Sequence, residues 1–531
     1  MVFFSQIASG VKYLIIFLLS IFYSVLHDIP DQSADTLPQD GRTLVLGKRL
    51  ENPYSVENMI KAYDSMPESS KVIFENHLID DIIYATHHYV KFTLKSEEEL
   101  MKLKMDSTII LFYYPLDYEI VSYGEGYYQN IYADQPAYYY ASVEANKILP
   151  DDIEWELLEY LFIPDDYSDG KPIISTRIGV IMSEHFIELL VDKSLELTGN
   201  LESKEVRGVY PWRPAGKILY EDDKLSKTLG LDGVKVRATR WFTSYIGLSD
   251  ISGNYRCNGI FKRAANYSFN LERYEFCVKG DGLYTEFNAL DRMENWDYSF
   301  SRSENEAEFF AATIFRAACH YFYKNIGNLH RPSTNGLESV QIKLVAINDV
   351  NDEQGYFSPS IRFWGLSNQI VIYNPYNPTD DIYAIAIHEL SHAAHWGMIT
   401  KMSGAANINR DFQYAEEKMI ESWARGVQYF LTKMVYPDYR GGPKIIGDTY
   451  TNVVIDLIDT EADSENNNGL SSKEGDDVSG YRMDQIEAAL IGNSTWEGWK
   501  ETIKNRYSNA TRNNIDRLFA SWEYQSIEQW K

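Results

Sequence analysis

The chain reads as an α+β multidomain protein: an α/β N-terminal unit, a short all-β stretch and a mainly helical C-terminal domain. Three observations give that order. Helix-like and strand-like patterns alternate up to about residue 205. Short alternating runs separated by turn signals fill 206–284, and helical apolar spacing dominates 285–531. At 531 residues the chain exceeds what one hydrophobic core fills, and 44% hydrophobic with 14% aromatic residues supplies material for several.

The N-terminus differs from the rest. Lys12 precedes an uncharged apolar run over 13–26 (YLIIFLLSIFYSVL). That is shorter than the roughly 20 residues a membrane span needs, and it suits the apolar region of a secretory signal. Residues 1–28 are therefore expected to be a signal peptide, with an uncleaved anchor or a buried helix as alternatives. Residues 29–45, rich in Asp, Gln and Pro, read as a flexible linker. Export to the periplasm, the cell surface or the medium follows as an expectation.

Over 46–205 the expected elements are a helix capped by Ser55, a strand over 88–94, and a helix opened by the pair Ser96 and Glu99. A strand over 107–113 and a helix over about 175–197 complete the unit, with a tyrosine-rich stretch at 127–140. No chemistry is apparent there. The pair His87-His88 reads as core or surface packing.

Over 206–284, strands are expected near 234–238, 255–257, 267–270 and 274–278, with a turn at Asp250-Ile251-Ser252-Gly253. The pattern Leu231-Asp232-Gly233-Val234-Lys235-Val236, then Gly247-Leu248-Ser249-Asp250 and Gly253-Asn254-Tyr255, resembles the carboxypeptidase regulatory-like (transthyretin-like) β-sandwich. The resemblance implies an accessory module, with chemistry elsewhere. Only Cys257, Cys277 and Cys319 occur, which is neither a disulfide framework nor a cysteine metal site. Cys257 and Cys277 are left as either a pair or two buried thiols.

In the C-terminal domain, helices are expected at 304–323, 381–396 and 414–434, and near 482–491, 495–506 and 511–522. Strands are expected at 341–347 and 369–373, and an acidic loop at 459–477. The 381–396 helix carries His388-Glu389-Leu390-Ser391-His392, an HExxH motif, with Thr379 or Asp380 as its cap. Residues four apart share one helix face, so both imidazoles reach one ion at about 2.0–2.1 Å. Glu389 then stands beside the metal, where a general base takes a proton from bound water.

Catalytic zinc usually takes a third protein ligand. His395 lies seven positions beyond His388, a rise of about 10.5 Å, so one ion cannot take both. Position 398 is Met398, which removes the metzincin arrangement. Downstream, Glu421-Ser422-Trp423-Ala424 forms an E-x-x-A element; Glu417 and Glu416 remain alternative ligands. HExxH followed by E-x-x-A on a later helix resembles the gluzincin metallopeptidases. That resemblance implies His388, His392 and Glu421 as ligands of one Zn2+ ion and Glu389 as catalytic base. It also implies a zincin-like domain over 285–531. The whole chain resembles exported multidomain gluzincin-like proteins of anaerobic Gram-negative bacteria, with outer-envelope association as an expectation.

The function so implied is zinc-dependent hydrolysis of peptide bonds in extracytoplasmic proteins or peptides. The alternative is a non-catalytic surface binding protein with an inactive zincin domain. A net charge of −27 opposes nucleic acid as a partner. Strand 369–373, just before the motif helix, is the expected edge for extended substrate. Tyr414, Tyr429 and Arg425 are candidates for stabilising an oxyanion.

Overall fold

A computed structural model describes residues 45–71, 77–121, 137–168, 177, 182–201, 211–280, 286–288, 295–324, 328–333, 341–363, 369–403, 412, 415–441, 449–459 and 477–528. The expected signal, all but the last residue of the linker, nearly all of the acidic loop, and 127–136 of the tyrosine-rich stretch lie outside them. The described part is mixed α and β.

The N-terminal region centres on a three-stranded antiparallel sheet. Strand β1 (His87–Leu94) lies between β2 (Ala137–Glu144) and β3 (Glu154–Leu161). Alternation sends Val90, Phe92 and Leu94 into one core with Leu103, Ala141 and Val143. Tyr89 points to the opposite face, against Phe112, Leu116 and Phe242. Helix α1 (Val56–Asp64) starts where Ser55 accepts the Asn58 amide. In α2 (Glu97–Lys104), Ser96 accepts the Glu99 amide, while the Glu99 carboxylate takes the amide of Lys95, one residue earlier than a capping box places it. Helix α3 (Glu184–Leu197) starts later than expected because the Ser183 hydroxyl caps it at the Phe186 amide. The strand expected over 107–113 does not form. Asp106 accepts both the amide (3.0 Å) and the hydroxyl (2.6 Å) of Thr108 and turns the chain, so only Phe112 makes an isolated bridge, to Tyr140.

In the described residues of the middle region every regular element is a strand. One sheet runs β7 (Thr243–Leu248), β6 (Lys235–Arg240), β9 (Asn266–Asn270) and the strand Glu286–Asn288. Another has β4 (Ala215–Asp222) between β8 (Asn254–Arg256) and β11 (Tyr298–Phe300), with β5 (Lys227–Gly230) also paired to β4. The turn at Asp250 forms as its residues predict. The Asp250 carboxylate accepts the amides of Ser252 (2.8 Å) and Asn254 (3.0 Å), and Gly253 supplies φ 81°. Cys257, Cys277 and Cys319 are all buried and free, so Cys257 and Cys277 do not pair.

Strand pairings cross the boundary expected at 284/285. Strand β10 (Phe276–Lys279) lies parallel to β12 (Ile342–Ala346), and β11 lies parallel to β4. One continuous core runs from Ile218 and Val236 through helix α4 (Glu306–Tyr323) to Trp522. Within it, Arg316 of α4 donates to Asp222 at 2.9 Å and to the Tyr436 hydroxyl at 2.7 Å. Removing one partner of such a buried pair would strand a charge, so this contact locks β4, α4 and the C-terminal end of the helix Glu417–Val435 together.

The sheet nearest the motif has the order β10-β12-β14-β13, with β13 (Gly355–Phe357) antiparallel to β14 (Ile370–Ile372). The strand expected to be an open edge is therefore internal: β14 pairs with β12 on one side and β13 on the other. Its flank, Gln369, is fully buried and accepts from Arg362 at 2.9 Å. Among the described residues the sheet ends on this side at β13, three residues long and too short to show an alternating pattern.

Helix α5 (Thr379–Ser403) packs on this sheet and against α4. Thr379 and Asp380 do not cap it. Both are already helical, and the Pro378 carbonyl receives the first helical amide, that of Ile382, at 3.1 Å. The Thr379 hydroxyl instead donates to Asp223, and Asp380 pairs with Lys224 at 2.8 Å, fastening the helix start to the β4–β5 hairpin. Helix α6 (Glu417–Val435) packs along α5, and α7 (Val453–Ile458) crosses α6. Helices Met483–Ala488, Trp496–Arg506 and Ile515–Glu528 close the chain. Among the described residues no helix is long and apolar enough to cross a membrane.

Gly426 permits the α6–α7 crossing: a Cβ there would lie 2.3 Å from the Val454 side chain. Gly426→Ala is expected to lower stability by about 1–3 kcal/mol, the range for overpacking. A urea melt monitored by tryptophan fluorescence reads this as a lower midpoint at unchanged slope.

Candidate metal centre

The site is built from two helices packed side by side. On α5, the four-residue spacing stacks His388 and His392 on one face, and their Nε2 atoms lie 3.1 Å apart. On α6, Glu421 presents Oε2 at 3.1 Å from His388 Nε2 and 3.4 Å from His392 Nε2. Both imidazoles are nearly fully buried. Among the described residues, these are the three His, Cys, Asp or Glu side chains whose donor atoms converge within 4.8 Å.

The geometry fits a metal ion. Donors held at 2.0–2.1 Å around a tetrahedral ion stand ~3.3 Å from one another, and the three separations here bracket that spacing. Three such donor atoms converging this closely in a dry site repel unless a metal ion or a shared proton lies among them.

The tautomer of His388 follows from its neighbour. The Gln428 amide nitrogen donates to the Tyr439 hydroxyl at 3.2 Å, which leaves the amide oxygen facing His388 Nδ1, also at 3.2 Å. Nδ1 therefore carries the proton and Nε2 the lone pair that faces His392 and Glu421. Gln428 follows Glu421 by two helical turns on the same face, so the helix period alone places it beside the ligands.

Glu389, next to His388 on α5, is nearly fully buried and reaches β13. A Cβ on Gly355 of β13 would lie 3.4 Å from Glu389 Oε1. The absence of a side chain at 355 leaves this approach open. The base candidate thus runs from the helix that carries the histidines to β13. Tyr450, one of 40 tyrosines and marked by no motif, stacks on His388 with ring centroids 6.0 Å apart. Its hydroxyl is hydrogen-bonded to Glu421.

The other candidates take different places. Glu416 accepts the Trp496 amide at 2.6 Å, and Glu417 is exposed in the first turn of α6. His395 is fully buried against Phe412, and burial lowers its pKa to about 3, so it stays neutral. The Tyr429 hydroxyl receives Lys433, and Arg425 binds Asn452 at 2.7 Å; neither contact involves the ligand cluster. Tyr414 lies outside the described residues. In comparisons with known proteins, no family model, curated sequence or solved structure matches this chain.

Proposed function

We propose that the chain is a zinc-dependent peptidase of the gluzincin type that hydrolyses peptide bonds in proteins or peptides outside the cytoplasm. The observation that carries this reading is the convergence of His388, His392 and Glu421 at tetrahedral spacing, with Glu389 following His388 in the chain. Such a donor set, two imidazoles and one carboxylate, is a common catalytic zinc set. Zinc bound there would supply a water of pKa near 7 and polarise the scissile carbonyl.

The chain's own groups do the rest. Glu389 takes the proton of the attacking water and delivers it to the leaving amine. Gln428 holds His388 in the tautomer that binds metal. Strand β13 receives the substrate backbone. The Ser358 amide and the Gln354 carbonyl are used within the sheet, at 2.9 Å to Gln369 and 2.8 Å to Tyr373. By strand alternation the amide and carbonyl of Phe357 face the open edge, where an extended peptide can add as a strand. In this reading residues 285–531 form the zincin-like catalytic domain, 206–284 an accessory transthyretin-like β-sandwich, and 1–28 the export signal of an envelope-associated bacterial protein.

The test is cleavage of a peptide library by the purified chain. Mass spectrometry should find defined cleavage sites that vanish on chelation and return with added zinc. A library left intact by zinc-loaded protein would end the peptidase reading.

A further inference from the structure

Residues 449–452 run against the turn of α6 that carries Glu421, and several separate contacts hold them there. Ser422, next to Glu421, accepts the Thr451 hydroxyl at 2.8 Å and the Thr451 amide at 3.3 Å, and its own hydroxyl donates to the Thr449 carbonyl at 3.4 Å. One turn further, Arg425 Nε donates to Asn452 at 2.7 Å, and both side chains are buried. Gly426 lets Val454 approach α6 closely, and Thr451 Oγ1 accepts the Val453 amide at 3.3 Å, leading the chain into α7. One stretch of α6 thus bears the ligand and anchors this strap.

The strap carries Tyr450 to the ligands. Its ring lies nearly parallel to the His388 imidazole, at 26° and 6.0 Å, and its hydroxyl is bonded to Glu421. A phenolic O–H can donate and an ionised carboxylate can only accept, so the hydroxyl donates to Glu421. A glutamate side chain has several soft torsions, and ordering them for metal binding costs entropy. A hydroxyl held by an anchored strap removes part of that cost in advance. The ring face also limits how far His388 can tilt about its bond to Gln428.

We propose that Tyr450 is a positioning residue of the metal centre, its hydroxyl orienting the Glu421 carboxylate and its ring the His388 imidazole, with residues 449–452 anchored to α6 to hold it there. This rests on the metal-site reading above and adds to it a residue that acts through two ligands. Loss of such an outer contact typically weakens metal binding by about 10–100-fold.

The test uses the full chain, stripped of metal and titrated with zinc against a chromophoric chelator, and separately with cobalt, followed by visible absorption. Tyr450→Phe should weaken zinc binding at least about tenfold and shift the cobalt bands, with the metal-free melting temperature near wild type. Ser422→Ala, which reaches the ligands only through the strap, should weaken zinc binding less and in the same direction. Tyr429→Phe, whose hydroxyl receives Lys433, should bind zinc as wild type does. Wild-type zinc affinity and cobalt bands in Tyr450→Phe would overturn the positioning role, even if hydrolysis fell, because the hydroxyl would then serve substrate. Failure of the wild-type chain to bind either metal would instead remove the metal-centre reading itself.

Discussion

Glu389→Gln is expected to bind zinc and fold as wild type does, yet lose peptide hydrolysis by at least about 10²–10⁴-fold, the usual contribution of a general base. The substitution keeps the side-chain volume at a nearly buried position and keeps an oxygen near Gly355, so no cavity forms beneath β13. What it removes is the basic oxygen pair that accepts the water proton. The loss should fall on kcat, because the proton moves only as the transition state is reached. Turnover of a cleaved library peptide, measured beside zinc content, reads both halves. A Glu389→Gln chain that retains its rate would place the base elsewhere and remove this residue from the mechanism.

Glu421→Ala is expected to take zinc from about one per chain to near none after dialysis, while Glu417→Ala and Glu416→Ala keep it. The geometry distinguishes the three glutamates: Glu421 Oε2 faces both imidazoles within 3.4 Å, Glu416 is engaged with the Trp496 amide, and Glu417 is exposed. Elemental analysis of the four proteins decides it. A ligand that binds the folded state stabilises by mass action, so chelation should also lower the wild-type melting temperature, and Glu421→Ala should melt alike with and without chelator. Zinc retained in full by Glu421→Ala would show that the third ligand is another group.

Helix-local features are legible in the amino-acid sequence. The four-residue spacing of His388 and His392 sets both rings on one face whatever packs against them. The caps at Ser55 and Ser96 and the turn at Asp250 form because each depends on a side chain reaching an amide two to four residues away. Where local chemistry favours a competing arrangement, the expectation fails. Asp106 captures Thr108 and dissolves a strand. At the head of α5, Thr379 and Asp380 turn to partners on a distant hairpin instead of to their own helix.

The sequence by itself determined the donor types, the pairing of two histidines with an adjacent glutamate, and a later helix offering glutamates to complete the set. All of these follow from the period of an α-helix. Tertiary structure alone decided which glutamate meets the histidines, since that depends on how α5 and α6 lie against each other. It also made β13, and not β14, the outer strand among the described residues, because strand order is set by pairing between segments distant in the chain. Tyr450 reaches His388 only because Ser422 and Arg425 hold its strap against α6. Contacts between side chains far apart in sequence leave no periodic trace along the chain, and so only the fold reveals them.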